Sequence, residues 1–425
     1  MFARPVTARG MRIALLPLLA LLGCSASESG GAAPAAAADG GQPRTPLAEA
    51  PFKVEAVGSF DRPWAVAFLP DGRALVTEVP GHLKLRQADG RVEDVGGIPA
   101  VAAGGQGGLL DVAPAPDFAR SGLVYITYSE PGEGGSGLAL ARGKLVAGPG
   151  GNRLDGLAVL WRQLPRGKGG QFGAIVAFSP DGRYLFLSSG ERQRFTPAQD
   201  PNQALGKILR LTLDGKPAPG NPGAGKTGAG TVTVTDPPEN TEIAKQVRGR
   251  AEPAPSPNLV PAETWSTGHR NPYGLAFAPD GRLWSEEMGP RGGDEMNLIE
   301  PGRNYGWPLV SQGDNYDGTP IPRHSTRPDL AAPALWWNPS ISPGGMTFYS
   351  GKLFPQWKGS AFIAALSGKG LIRVAVNGAV ARKAEMWDFG ARLRDVAEGP
   401  DGALYLLEDG ARGSAGRLLR LTPKR

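Results

Sequence analysis

Apolar residues recur along the chain in short runs rich in Val, Leu, Phe and Tyr, set between turn-forming Gly, Pro and Asp. This is the pattern of half-buried strands, and no stretch carries a convincing amphipathic helix. One phrase returns at large intervals. It reads Phe68-Leu-Pro-Asp-Gly-Arg-Ala-Leu-Val-Thr-Glu78, then Phe178-Ser-Pro-Asp-Gly-Arg-Tyr-Leu-Phe-Leu-Ser188. It comes back as Phe277-Ala-Pro-Asp-Gly-Arg-Leu-Trp284 and as Gly399-Pro-Asp-Gly-Ala-Leu-Tyr-Leu-Leu407. A weaker copy is Ala115-Pro-Asp-Phe-Ala-Arg-Ser-Gly-Leu-Val-Tyr-Ile-Thr127. Each full copy puts a tight Pro-Asp-Gly turn between two β-rich runs. Proline presets φ for the turn, the aspartate side chain caps it, and glycine takes the positive φ that follows.

Recurrent hairpins of this kind predict an all-β fold, a six-bladed β-propeller of four-stranded antiparallel blades. The blade count follows from the length of the folded part at ~40–50 residues per blade plus loops. The copies are unevenly spaced, so insertions lie between blades. A row of β-sandwiches is the alternative, but it does not account for the returning phrase.

The 425 residues include 63 Gly and 41 Pro, in keeping with a turn-rich fold. There are 46 Lys and Arg against 40 Asp and Glu. Three of the basic residues, Arg4, Arg9 and Arg12, precede the apolar run Ile13 to Leu22. That is the layout of a secretory signal peptide, too short for a comfortable membrane span. Without those three arginines the positive excess is only about three. Such a charge is too mild for nucleic acid, and no basic stripe interleaves with aromatics.

A single cysteine excludes an intrachain disulfide and a multi-cysteine metal site. The stretch Leu21-Leu22-Gly23-Cys24-Ser25 resembles a bacterial lipobox. On that reading residues 1–24 are a lipoprotein-type signal peptide, and Cys24 carries the lipid as the first mature residue. The protein then faces the periplasm, held to the membrane by its lipid anchor only, with Ser25 favouring the outer membrane. An ordinary signal peptide with a coincidental cysteine is the other reading. Residues 25–50 are rich in Ala, Gly and Pro and read as a flexible tether. Residues 51–425 form the propeller domain, with a long loop at roughly 219–261. Gly220 to Thr227 has the spacing of a phosphate-binding loop. The β-rich residues Thr231 to Thr235 stand where a helix would have to start, so no nucleotide site is expected.

Several motifs follow one another through the domain. Pro63-Trp64 opens it, then Gly104-Gly-Gln-Gly-Gly-Leu-Leu-Asp111, Gly190-Glu191-Arg192, Ala198-Gln-Asp200 and Leu205-Gly-Lys-Ile-Leu-Arg210. Next come Gly268-His-Arg-Asn-Pro-Tyr-Gly-Leu275, Gly289-Pro-Arg-Gly-Gly-Asp-Glu-Met-Asn-Leu298 and Gly302-Arg-Asn-Tyr-Gly-Trp-Pro308. The C-terminal part holds Pro339-Ser-Ile-Ser-Pro-Gly-Gly-Met346 and Arg392-Leu-Arg-Asp395. In this order they resemble the glucose/sorbosone dehydrogenase family, the soluble aldose sugar dehydrogenases that depend on pyrroloquinoline quinone (PQQ). The resemblance runs from about Pro51 to Leu421.

The resemblance implies a cofactor, a metal and their ligands. PQQ is a tricarboxylate with an ortho-quinone, and guanidinium groups suit planar carboxylates. Arg392 and Arg394 are assigned to the cofactor. Two apart in an expected strand, they would share one face, and a solvated pair is the alternative. Arg270 and Asn271 match the pair that reaches cofactor and substrate, with Arg270 placed to stabilise negative charge on the quinone oxygen. Plain turn chemistry before Pro272 is the alternative for both. Gln106, in a glycine-rich loop, matches a further cofactor position, with a plain loop residue as the alternative, and Ser367 stands where a lysine or another polar residue often reaches the cofactor. Gly289 and Pro290 match the backbone carbonyls that hold a catalytic calcium. Asp294, Glu295 and Tyr305 resemble a second, structural calcium site, with Glu295 and the Tyr305 backbone favoured; alternatively the acids merely pair with Arg291 or Arg303.

One departure matters. The family's general base is a histidine in a phrase like Gly-Gly-His-Phe-Gly, whereas here the phrase is Gly169-Gly-Gln-Phe-Gly173, with Gln171 at the base position. A carboxamide does not accept a proton near neutral pH. Ile175 stands where an arginine is common and Met288 where a histidine is. His82, His269 and His324 do not obviously replace the base; Lys168 and Glu191 are the candidates in sequence. The resemblance therefore implies PQQ-dependent oxidation of an aldose, a small-molecule sugar, at its C1 hydroxyl to a lactone, with the electron acceptor unknown. The alternative is a weakened or inactive propeller that binds PQQ, sugar or an envelope partner. A hydrolase or lactonase on the same architecture is a third reading.

Overall fold

The structure is a computed structural model that describes residues 42–235 and 249–424. Cys24, the signal peptide and most of the expected tether lie outside the described residues. The fold is all-β, built from antiparallel meanders of four strands. Pro63–Phe68, Ala74–Glu78, His82–Arg86 and Val92–Gly96 form the first, and Leu109–Pro114, Leu123–Gly132, Gly135–Gly148 and Gly151–Arg162 the second. Parallel pairing of Asn152 and Arg153 with Val95 and Gly96 joins these two edge to edge. Further meanders open on Gly173–Phe178, Pro272–Phe277, Pro343–Phe348 and Leu393–Glu398. The first strand of each packs against the first strand of the next, and Leu393–Glu398 packs back against Pro63–Phe68. The ring is closed by the chain's own ends: Phe52–Ser59 pairs with Arg417–Pro423 as the outer strand of the last meander.

The returning phrase marks one junction, the turn from first to second strand. Asp71, Asp181, Asp280 and Asp401 each accept the N–H two residues on at 3.1 Å. The glycines beside them have φ between 67° and 89°, a region that costs glycine nothing. The phrase also carries a hydroxyl that ties neighbouring meanders. Thr77 donates to Leu110 O, and Ser188 donates to Pro272 O at 3.0 Å. Thr127, in the weaker copy, donates to Ala174 O at 2.8 Å. One meander lacks the phrase: between Pro343–Phe348 and Ala361–Ala365 a 3₁₀ turn at Pro355–Trp357 does the job, with Trp357 buried among Phe52, Phe354 and Trp387.

Two expectations change. Residues Gln42 to Ala50, read as tether, lie against the domain. Thr45 and Pro46 pair in parallel with Trp387 and Asp388, the Gln42 amide accepts the Trp337 indole N–H at 3.0 Å, and Ala50 is buried. The long loop at 219–261 is partly structured. Thr231–Val234 and Arg250–Pro253 form a hairpin, and Asn221 donates to Arg210 O and Ala262 O at 2.8 Å each. The insertion separates Lys207–Thr212 from Thr264–Thr267 in one meander. No helix leaves Gly220 to Thr227, as the sequence led us to expect. Among the described residues no helix is long and apolar enough to cross a membrane.

Candidate functional site

Every first strand carries a register shift near its start, as between Pro63 and Ala65, Gly173 and Val176, Pro272 and Gly274, and Leu393 and Asp395. Bulges bend a strand and re-aim its side chains. Inside the ring lies a small cavity of about 20 Å³, lined by Trp64, Asp111, Ile175, Tyr273, Arg394 and Asp395 among others. The loops entering the first strands carry Gln106, Gln171, Arg270, Asn271 and Arg392.

Gln171 and Arg270 meet. With the Gln171 amide oriented so that both ends are satisfied, its nitrogen donates to Glu191 Oε1 and its oxygen accepts from Arg270 Nη2 at 2.9 Å. Gln171 holds a positive φ of 55° and is buried. Three things keep it there. Its N–H donates to Gln106 Oε1 at 2.8 Å. The fully buried Arg192 donates to Gly169 O and Gly170 O and lies 3.9 Å over the Phe172 ring. Gly190 passes so close that a Cβ there would sit 2.0 Å from Gln171 O. Burial pushes the Glu191 carboxyl above its ordinary range, while Arg270 and the N–H groups of Phe195, Arg194 and Gln193 oppose it. Burial also pulls the Arg192 guanidinium down to about 9.

Arg270 is buried; its backbone N–H donates to Glu287 Oε2 at 2.6 Å, while among the described residues its guanidinium donates only to neutral oxygens. Nη1 donates to Met288 O at 3.0 Å and Gly289 O at 2.7 Å, and Nη2 also donates to the Tyr316 hydroxyl at 3.1 Å. Its Nε–H has no partner. A buried guanidinium with an orphaned donor and no carboxylate in contact suits an anionic ligand. Asn271 is fully buried and accepts the Gly173 N–H at 3.2 Å. Gln106 is exposed and joins the group through Tyr273, whose hydroxyl donates to Gln106 Oε1 at 3.1 Å. Sequence reading gave no role to Tyr273, although it stands inside the Gly268–Leu275 motif, nor to Tyr316, which nothing marks until the fold brings it to Arg270.

The two C-terminal arginines do not share a strand. Arg392 precedes Leu393–Glu398 and Arg394 sits in its bulge. They converge on one buried carboxylate instead. Arg392 Nε lies 2.5 Å from Asp409 Oδ2, and Arg394 Nη2 lies 4.0 Å from the same oxygen. Neither is a solvated pair, and two guanidiniums share one acid, so positive charge is left over for a carboxylate ligand. Ser367 is exposed at the rim, donating to Ser340 O and Ser342 Oγ, and makes no contact with the Gln171–Arg270 group.

Three of the proposed metal positions, Gly289, Glu295 and Tyr305, line one cavity, which Arg270 lines as well. Gly289 O accepts from Arg270, which leaves its second lone pair; a cation here would sit beside a guanidinium and need an anion to offset it. Pro290 follows it, buried. Asp294 binds no arginine. It accepts the N–H groups of Gly289, Ile341 and Ser342 at 2.7–2.8 Å, so it fastens the Gly289 loop to the next meander. Glu295 and Tyr305 do share a small cavity, about 10 Å³, with Glu287, Gly289 and Arg270. Burial first, then the Glu287 charge, pushes the Glu295 carboxyl far up. Asn297 donates to both acids and keeps an unpartnered buried Oδ1. Crowded carboxylates and spare oxygens fit an oxygen-liganded cation, although Tyr305 O already accepts His324 Nε2 at 3.2 Å. Among the described residues no three His, Cys, Asp or Glu side chains cluster as a metal site, so carbonyls would have to complete it. Arg303 pairs with Glu300.

The histidines are accounted for. His269 is buried between Ser266 and Glu287, His82 is exposed beside Glu78, and His324, placed by sequence in a polar loop, is buried against Tyr305 O. None reaches Gln171. Lys168 contributes only its carbonyl, to Arg194.

The family model for glucose/sorbosone dehydrogenase matches residues 60–234 and 250–420. The chain is 38% identical over 376 residues to the aldose sugar dehydrogenase YliI of Escherichia coli, spanning 86% of this chain and 91% of that one. The apo structure of the soluble aldose sugar dehydrogenase from Escherichia coli superposes with a TM-score of 0.74 at 37% identity, over 88% of this chain and all of that one. The PQQ-bound aldose sugar dehydrogenase from Streptomyces coelicolor gives a TM-score of 0.64 at 28% identity, over 89% of this chain and all of that one.

Proposed function

Because the chain belongs to the glucose/sorbosone dehydrogenase family, we propose that it oxidises aldose sugars at the C1 hydroxyl to lactones with PQQ as cofactor. The single observation that carries this reading is Arg270, a buried cation whose guanidinium donates to neutral groups with one donor unused, set beside Gln171 and Glu191. The relative that carries PQQ in its structure supports the same cofactor here.

When bound, PQQ would supply the quinone that accepts hydride. This chain's own residues do the rest. Arg392, Arg394 and Arg270 would hold its carboxylates and its reactive edge, with Asn271 and Gln106 alongside and Ser367 at the rim. The carbonyls of Gly289 and Pro290 would hold a calcium ion, and Glu295 with the Tyr305 carbonyl a second. Gln171 does not take the C1 hydroxyl proton; its amide positions Glu191 and Arg270. Glu191 is the nearest carboxylate, and burial raises its affinity for a proton. The meanders support a six-bladed propeller, and the lipobox-like stretch at Cys24 supports a periplasm-facing lipoprotein of the cell envelope.

A second reading draws on the same pair. Gln171 is fully engaged and offers no free base, which favours a propeller that binds PQQ and sugar with little turnover. One assay separates the two. Purified protein is loaded with PQQ and calcium, and dye reduction is followed with a panel of aldoses. Sugar-dependent reduction is expected; PQQ binding without it would leave the binding-only reading.

A further inference from the structure

We propose that the exposed ring of Tyr316 is the platform on which the pyranose ring of the sugar lies, making Tyr316 a specificity-determining residue. The proposal rests on the sugar dehydrogenase reading above and adds the residue that selects the substrate. Among the described residues the exposed large hydrophobic side chains are Val92, Leu309, Tyr316 and Val380, and Tyr316 is the one aromatic. Tyr316 is 55% exposed. Its hydroxyl nevertheless accepts from Arg270 Nη2 at 3.1 Å, and the Arg270 guanidinium carbon lies 5.9 Å from its ring centre. An exposed aromatic thus borders the guanidinium that also bonds the Gln171 amide.

The ring is held, not loose. Asp314 exchanges both backbone hydrogen bonds with Arg291, at 3.0 and 3.1 Å, on the loop that carries Gly289 and Pro290. Asn315 O accepts the Gly318 N–H at 2.9 Å, which puts Tyr316 at the corner of a closed turn. Arg323 braces the base of the loop, donating to Asp314 Oδ1 at 2.7 Å and Gly313 O at 2.6 Å. Gly313 lies so close to the neighbouring loop that a Cβ there would be 2.2 Å from Gly292 O. A pre-positioned aromatic face loses little entropy on binding.

The chemistry fits a sugar. In β-D-glucopyranose the hydrogens on C1, C3 and C5 project from one face, an apolar patch that an aromatic ring can cover. The hydroxyls point sideways to polar partners, and Arg270 stands at the ring's polar end. Binding sites of this kind pair aromatic walls with a few oriented polar groups.

The test separates the ring from the hydroxyl. Tyr316→Phe keeps the platform and loses the bond to Arg270; Tyr316→Ala loses both. With D-glucose as probe, Tyr316→Ala should raise KM about tenfold, the size of one aromatic contact, and Tyr316→Phe should raise it less than Tyr316→Ala does. Saturation-transfer NMR on PQQ- and calcium-loaded protein, without an electron acceptor, supplies a readout independent of turnover. Wild type and Tyr316→Phe should transfer saturation mainly to H1, H3 and H5, and Tyr316→Ala should lose that preference. An unchanged KM and an unchanged pattern in Tyr316→Ala would overturn the platform. A wild-type protein that neither oxidises nor binds any aldose would instead overturn the sugar dehydrogenase reading, and the platform with it.

Discussion

The carboxamide of Gln171 and the carboxylate of Glu191 form one buried hydrogen-bonded pair, with Arg270 on the amide oxygen. The amide does what a neutral spacer can do: it gives the acid a donor and the arginine an acceptor, and both charges stay in place. It cannot carry a proton away. An imidazole at this position would find the same carboxylate as partner for one ring N–H and leave its other nitrogen to accept a proton. Gln171→His should therefore raise kcat on aldoses, by at least about tenfold against the ~10²–10⁴ that general-base catalysis typically supplies. It should also add an acidic limb near neutral pH to the rate profile. Steady-state kinetics of both proteins at several pH values checks this. No change in a variant that still binds PQQ would mean that residue 171 does not face the C1 hydroxyl.

The cavity shared by Glu287 and Glu295 makes a separate prediction. Two carboxyl groups bridged by the Asn297 amide sit together in the interior, Glu287 being held also by His269 and by the Arg270 N–H. A calcium ion would relieve that crowding, and a ligand at 100 times its Kd stabilises by about 2.7 kcal/mol. Calcium should raise the thermal midpoint, magnesium less so because it keeps its waters, and Glu295→Gln should shrink the rise. Superimposable melts in calcium and in chelator would remove the metal from this cavity.

Much of the framework is readable from sequence because one local solution is reused. Pro-Asp-Gly turns and the hydroxyls of Thr77, Thr127 and Ser188 are short-range devices, and the residues that make them are adjacent in the chain. The meander at Pro343–Phe348 uses Trp357 instead, and so left no phrase to find. The site is less legible. Arg270 and Asn271 stand beside a recognisable turn, yet their partners come from loops far away in sequence. Arg392 and Arg394 were expected on one strand face, and a bulge separates them while Asp409 gathers both. Tyr316 carries no local signal, and the roles of Tyr273 and Tyr316 exist only once the ring has brought Gln106 and Arg270 to them.

Arg192 should behave as the clamp of the Gln171 loop. Its guanidinium serves carbonyls of Ser136, Gly167, Gly169 and Gly170 and covers Phe172. A shorter, apolar side chain would strand several buried acceptors, each costing about 1–3 kcal/mol. Arg192→Met should lower stability by roughly 2–4 kcal/mol, with limited proteolysis moving to residues 163–173. Arg192→Lys should recover only part of this, because an ammonium cannot span the same fork of carbonyls. A melt and cleavage pattern equal to wild type in Arg192→Met would show that the loop is held by other contacts.

The acids facing the ring's interior predict how stability depends on pH. Burial raises Asp111 to about 7 and Asp395 to about 6, against N–H bonds from Val176 and Val112 and from Val66 and Val396 that pull the other way. Glu286, buried without a partner, is raised further by burial and by the Asp294, Glu287 and Asp395 charges. In the unfolded chain these carboxyls titrate near the ordinary value, so between about pH 4 and pH 7 the folded protein holds more protons than the unfolded one. The sign follows. These groups favour the fold most below their unfolded pKa, and that advantage is lost as pH rises through the folded values. Each excess proton contributes a slope of about 1.4 kcal/mol per pH unit. The thermal midpoint should therefore fall from pH 5 to pH 7. Asp111→Asn and Asp395→Asn should each flatten that fall, even where the loss of one acceptor oxygen lowers the whole curve. Melts across this range on the three proteins test it, and variant curves parallel to wild type would mean that these carboxyls are ionised throughout.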